Sequence, residues 1–69
     1  MTNTQLLEDR IKSSGLKIGF IVAKLGISRS AWDKKKKNII PFRAAEIYVL
    51  CDLLNIAEED KPKFFCHKG

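Results

Sequence analysis

Histidine occurs once in these 69 residues, cysteine twice, proline twice and glycine four times. The one histidine, His67, stands near the end of the chain. No Gly-rich phosphate loop, paired acidic constellation or nucleophile with a base assembles around it, so catalysis has no candidate residues and no enzyme is expected. Two cysteines, one of them inside an apolar helical pattern, do not make a disulfide framework; reduced thiols are expected. Cys51, Cys66 and His67 supply three zinc ligands at most and lack the paired spacing of zinc motifs, so no metal and no cofactor is expected. Long apolar runs are missing as well. Stretches such as the one from Ile18 up to Lys24 are far shorter than the roughly 20 residues of a membrane helix, and the N-terminus lacks a basic region followed by an apolar stretch. A soluble, unsecreted chain is the expectation, with no membrane partner and no small-molecule substrate.

Acidic residues are scarce in one place only. The net charge is +5, and the segment 28–43 carries Arg29, Lys34, Lys35, Lys36, Lys37 and Arg43 against Asp33 alone, which accounts for all of it. The flanks cancel: residues 1–27 are basic by two charges and residues 44–69 acidic by two. Such local asymmetry points to an anionic polymer as partner, the alternative being a basic run that merely keeps a helix end solvated. With 45% apolar and 30% charged residues the composition is that of a folded chain. A chain this short builds one modest core, here a single domain over 1–69 with its core at about 3–57 and a tail at 58–69.

The periodicity is helical throughout and no repeat or low-complexity tract interrupts it. Thr2 and Gln5 have capping-box spacing, Leu7, Ile11 and Ser14 share a face, and Gly15 stops the first helix. A second helix reads from about Lys17 to Leu25 on Ile18, Ile21, Val22 and Leu25, and ends at Gly26. Ile27 is the buried residue of the turn, and Ser28 caps a third helix through roughly Lys36. Asn38 to Pro41 is a connection, because proline biases Ile40 away from helix. In the fourth helix Ala44, Ile47, Leu50, Cys51 and Leu54 form the apolar face, joined by Val49 and Leu53. Arg43, Glu46 and Asp52 are expected to stay wet, with Asn55 as C-cap. Pro62 requires any tail helix to start near Asp60 or Lys61. It carries Phe64 and Phe65, which either close the core or contact a protein partner.

Two helices joined by a Gly-containing turn, the second of them basic, form the arrangement of a helix-turn-helix DNA reader, here at about 17–36. On "FIVAKLGISRSAWDKKKKN" followed by "PFRAAEIYVLCDLLNI", roughly residues 5–57, the chain resembles the Cro and lambda-repressor-like helix-turn-helix family, especially the small regulators of temperate-phage switches. The resemblance implies a compact all-α domain of four or five helices acting in the cytoplasm of a bacterial host. Its third helix would lie in the major groove of double-stranded operator DNA, probed by a homodimer.

By position in that motif, Ser28, Arg29, Ser30, Asp33 and Lys34 correspond to base-facing residues, and Lys17, Lys37, Asn38 and Arg43 to residues near phosphates. Arg29 suits a bidentate contact to guanine, whereas Lys34 and Lys37 act as point charges. A second role on the same scaffold is an antirepressor or modulator that binds a phage repressor protein, and a third is an antitoxin.

The chain departs from the family pattern in three places. Val22 stands where alanine is usual, Ile18 where a polar residue reaches phosphate, and the lysine run continues past the point where an apolar residue is usual. Lys34 to Lys37 span some 300° of helix surface, so at least one faces inward. Trp32 marks that side, either as core anchor or as an aromatic for stacking, and the next turn of the same side falls at Lys35 and Lys36. Unless Lys36 extends its stem along the surface, the helix is expected to fray there.

Overall fold

Each helix begins and ends on chemistry that can be named. In the computed structural model, which describes residues 1–65, α1 spans Thr4–Ser14, α2 Ile18–Leu25, α3 Arg29–Lys36, α4 Ala44–Leu53 and α5 Lys61–Phe64, with a 3-10 turn at Glu58–Asp60 before α5. Among the described residues the architecture is all-helical, the one departure being an isolated antiparallel bridge between Thr2 and Phe65.

The cap of α1 is Asn3, whose side chain accepts the Leu6 N–H at 3.1 Å. Thr2, expected in that role, is spent on the bridge to Phe65 instead. Asn3 itself donates its N–H to the Phe64 carbonyl at 2.7 Å, so the start of the chain is sewn to the tail.

Three helices end in the same way. Gly26 follows α2 at φ 71°, Asn38 follows α3 at φ 64° and Asn55 follows α4 at φ 56°. In each case the next residue is an isoleucine whose N–H reaches back five residues: Ile27 to the Val22 carbonyl, Ile39 to Lys34 and Ile56 to Cys51. This is the Schellman closure, which needs a left-handed residue that only glycine, or asparagine at some cost, adopts readily. Asn55 thus sits one residue beyond the cap it was expected to form.

The core holds Leu7, Ile11, Ile21, Trp32, Phe42, Ile47, Leu50, Leu54, Ile56, Phe64 and Phe65, with Trp32, Leu7, Ile21 and Leu50 fully enclosed. Trp32 is therefore a core anchor. It meets Phe42 edge-on at 5.7 Å between ring centroids, and Phe42 meets Phe65 likewise at 5.8 Å, the geometry that the aromatic quadrupole favours. Phe64 and Phe65 are 7% and 3% exposed. The partner contact considered for them is thereby corrected: the Thr2 and Asn3 bonds pull the tail in, and both rings close the core. Cys66 and His67 lie outside the described residues.

α2 packs against both α3 and α4, and α1 against α5. Arg10 of α1 completes the frame. Its guanidinium donates from Nε to the Leu54 carbonyl and from Nη2 to the Asn55 carbonyl, both at 2.9 Å, satisfying acceptors that the end of α4 leaves open.

Candidate nucleic-acid interface

α3 forms from poor helix material, since its eight residues, RSAWDKKK, bring only Ala31 and Trp32 to the apolar side. It holds because both ends are closed. Ser28 Oγ accepts the Ala31 N–H at 3.0 Å, and at the other end three lysines in the last turn complement the negative helix terminus. The Lys36 carbonyl is capped from outside the helix by the hydroxyl of Thr4.

Taking residues at about 100° intervals, Arg29, Asp33, Ser30 and Lys34 fall within an arc of about 140°. Ala31, Lys35 and Trp32 occupy the opposite side, and Lys36 lies at the border. Exposure follows that division. Ser28, Arg29, Ser30 and Lys34 are exposed and Asp33 is half-buried, while Trp32 and Lys35 are buried. The four assigned residues within α3 thus share one side, open except at the half-buried Asp33, and Ser28 stands before it as the cap. Arg29 Nε and Asp33 Oδ1 stand 3.9 Å apart with both side chains largely in solvent, a contact too loose to commit the guanidinium.

The lysine run divides into two kinds of residue. Lys35 turns inward, 7% exposed, and its ammonium donates to Glu46 Oε1 at 2.7 Å and to the Pro41 carbonyl at 3.3 Å. Glu46, expected in solvent, is buried beneath it and also accepts the Arg43 N–H at 2.8 Å. Its carboxyl is held below the ordinary value of 4.5. Burial raises it, but the Lys35 hydrogen bond, the Arg43 N–H and the two positive charges together outweigh that. Lys36 reaches Glu8 of α1 at 2.9 Å. The helix accordingly does not fray at Lys36; it runs through it and closes at Asn38. Lys34 and Lys37 are exposed and, among the described residues, form no ion pair.

Sequence reasoning missed Lys35 and Glu46 as a pair. The signal was present: Glu46, Leu50 and Leu54 stand four apart on α4, in one row of the helix surface. Both leucines are buried, so a carboxylate at the head of that row had to find a cation.

The residues assigned to phosphates lie at helix ends. Lys17 is the exposed N-cap of α2 and Arg43 the exposed N-cap of α4, and neither caps with a side-chain hydrogen bond. α2 has no acid in its first turn, and the one in α4, Glu46, is engaged by Lys35. A cation at a helix N-terminus opposes the dipole by about 0.3–1 kcal/mol, and an anion seated there reverses the sign. Asn38 does not fit its assignment as a phosphate contact. Its side-chain amide accepts the Thr2 N–H at 2.8 Å and donates to the Thr2 carbonyl at 3.0 Å, which commits both ends to the chain itself. Compared with protein-family models, curated proteins and solved structures, the chain gives no significant match.

Proposed function

We propose that this chain is a small transcriptional regulator of a phage-type lysis or lysogeny switch, which binds operator DNA by laying the Arg29–Lys34 side of α3 in the major groove. The observation that carries the reading is the division of the lysine run. Glu46 and Glu8 take up Lys35 and Lys36, while Lys34 and Lys37 stay in solvent beside the exposed Ser28, Arg29 and Ser30. A basic run that only solubilised a helix would have no use for a buried acid, Glu46, and a surface acid, Glu8, each paired with one of its members. Its free members here border a polar face rich in donors that reach base edges.

Within this reading Arg29 contacts a guanine edge in the bidentate manner, Asp33 accepts from a cytosine amino group, and Lys34 contributes charge alongside. Lys17, Lys37 and Arg43 meet phosphates. Two copies would read half-sites about 34 Å apart. If Lys17, Lys34, Lys37 and Arg43 each neutralise one phosphate, log affinity falls against log salt with a slope of about −3.6 per subunit. Titration of a fluorescent duplex across a salt series measures it, and a flat dependence removes the reading.

The modulator role, binding a phage repressor protein, loses two of its supports. Phe64 and Phe65 are enclosed, and α3 is regular to Lys36. Light scattering of a mixture with a cognate phage repressor protein separates the two roles.

A further inference from the structure

The connection between α3 and α4, residues 38–42, is tied to α3 at its start by the Ile39 and Ile40 N–H groups on the Lys34 carbonyl, at 2.8 and 3.4 Å, and is thinly held beyond that. Ile39 is 65% exposed and Ile40 37%, Pro41 is exposed, and neither isoleucine belongs to the core or packs on it. Its side-chain anchors stand at its two ends, Asn38 on the Thr2 main chain and Phe42 in the core, and the stretch from Ile39 to Pro41 has none of its own. Yet this segment sets the separation of Lys37, the C-cap of α3, from Arg43, the N-cap of α4.

What closes it is the buried ion pair. The Lys35 ammonium holds the Pro41 carbonyl at 3.3 Å, lies 6.0 Å from the centre of the Phe42 ring, and is bonded to Glu46. The same Glu46 oxygen holds the Arg43 N–H at 2.8 Å. One ammonium and one carboxylate thus fasten Pro41, Phe42 and Arg43 to both helices at once. An apolar pair of similar volume would hold α3 against α4 about as well, because the desolvation of two buried charges offsets most of their attraction. Directionality is what the ionic pair adds: the ammonium fixes the Pro41 carbonyl within the connection, and the carboxylate fixes the Arg43 N–H that follows it.

We infer that Lys35 and Glu46 are positioning residues for the anion-binding surface, fixing the connection that spaces Lys37 and Arg43 along a nucleic-acid backbone. The inference rests on the DNA-binding reading for its consequence, though not for its geometry. In this fold the pair touches no ligand and acts only through the segment it holds.

The test compares the unaltered chain with Lys35→Met/Glu46→Leu, which replaces both charges together and so leaves neither buried alone. Amide exchange by NMR and affinity for a random-sequence duplex at low salt are the two measurements. In the double variant the Ile39 and Ile40 amides, which neither residue bonds directly, are expected to exchange about tenfold faster relative to the α1 amides of Leu7 and Ile11. Duplex affinity is expected to fall about tenfold, with a shallower salt slope. A general loss of stability would speed all these amides together, so an unchanged ratio overturns the inference. Unchanged affinity in a chain that binds DNA overturns it too. If the unaltered chain binds no duplex, the DNA-binding reading fails by itself, and the exchange ratio still decides whether the pair holds the connection. Glu46→Gln, which keeps an acceptor for Arg43 and removes the charge, must rank the amides in the same order with a smaller difference; the opposite order also overturns the inference, including where the double variant does not fold.

Discussion

Lys34 and Lys35 are adjacent and identical, yet the helix turns them into opposites. A rotation of about 100° carries one into solvent, with no ion pair among the described residues, and the other against Glu46, Pro41 and Phe42. Lys36 and Lys37 repeat the contrast more weakly, Lys36 bridging to α1 at the border and Lys37 capping the helix in the open. Charge counted along the sequence therefore overstates the basic surface. Two of the four lysines pair with the chain's own acids, Lys35 in the interior and Lys36 at the surface, and the other two are available to a partner.

The strongest way to break this comparison is to remove Lys35 alone. Lys35→Ala leaves the Glu46 carboxylate buried without its cation, a change that costs about 3–5 kcal/mol in buried pairs. A domain of this size has a total stability of about 3–10 kcal/mol, so the variant is expected to be largely unfolded or to show a greatly lowered urea midpoint. Lys34→Ala should leave the unfolding free energy within about 0.5 kcal/mol of that of the unaltered chain. Equal losses in the two variants would mean that the lysines are not distinguished as the geometry requires.

Acid probes the same pair from the other side. The folded-state pKa of Glu46 is depressed below 4.5, so its contribution is complete above the unfolded value and is lost as pH falls through the folded one. Urea midpoints taken from about pH 6 down to about pH 3 should fall for the unaltered chain below the ordinary carboxylate range. In the Lys35→Met/Glu46→Leu variant that part of the decline should be missing. The same decline in both chains would place the acid sensitivity elsewhere.

How much of this was legible in the sequence follows from where the constraints are local. Gly15, Gly26, Ser28 and Pro62 mark helix ends by their own backbone chemistry, and the structure has ends at or beside each of them. Trp32 marked the inward side of α3, with core anchor one of its two readings, and the structure encloses it. The pairing of Lys35 with Glu46 was not read because it depends on which rows of two helices face each other, information that lies in no single helix. For a related reason the phosphate assignment of Asn38 failed, and Phe64 and Phe65 stayed open between core and partner. Their roles are set by Thr2 and Asn3, which stand at the far end of the chain and act through main-chain atoms that carry no sequence signature.

A smaller effect separates the two paired lysines. The Lys36 to Glu8 bridge is 2.9 Å long, but its side chains are 22% and 45% exposed, so solvent screens it and about 0.2–1 kcal/mol is the expected contribution. Lys36→Ala should lower the unfolding free energy from urea titration by that amount, and the difference from the unaltered chain should shrink in high salt. A loss as large as that of Lys35→Ala would mean that the border position is as demanding as the interior one.

The smallest change sharpens the comparison from outside the lysine run. Gly19 stands in the first turn of α2 with an ordinary helical backbone, and a Cβ built there meets nothing within 4 Å. Alanine lacks the backbone freedom that glycine loses on folding, so Gly19→Ala should stabilise the domain by up to about 0.5–1 kcal/mol. The melting temperature should rise by a few degrees, about 4–8 °C per kcal/mol for a domain of this size. The same methyl would stand beside the free N–H groups that follow Lys17. If α2 receives a phosphate there, the stabler variant binds duplex DNA more weakly, because the backbone can no longer approach the anion as closely. Unchanged binding in a chain with a raised melting temperature would leave the phosphate contacts to Lys34, Lys37 and Arg43, and would take Lys17 out of the interface.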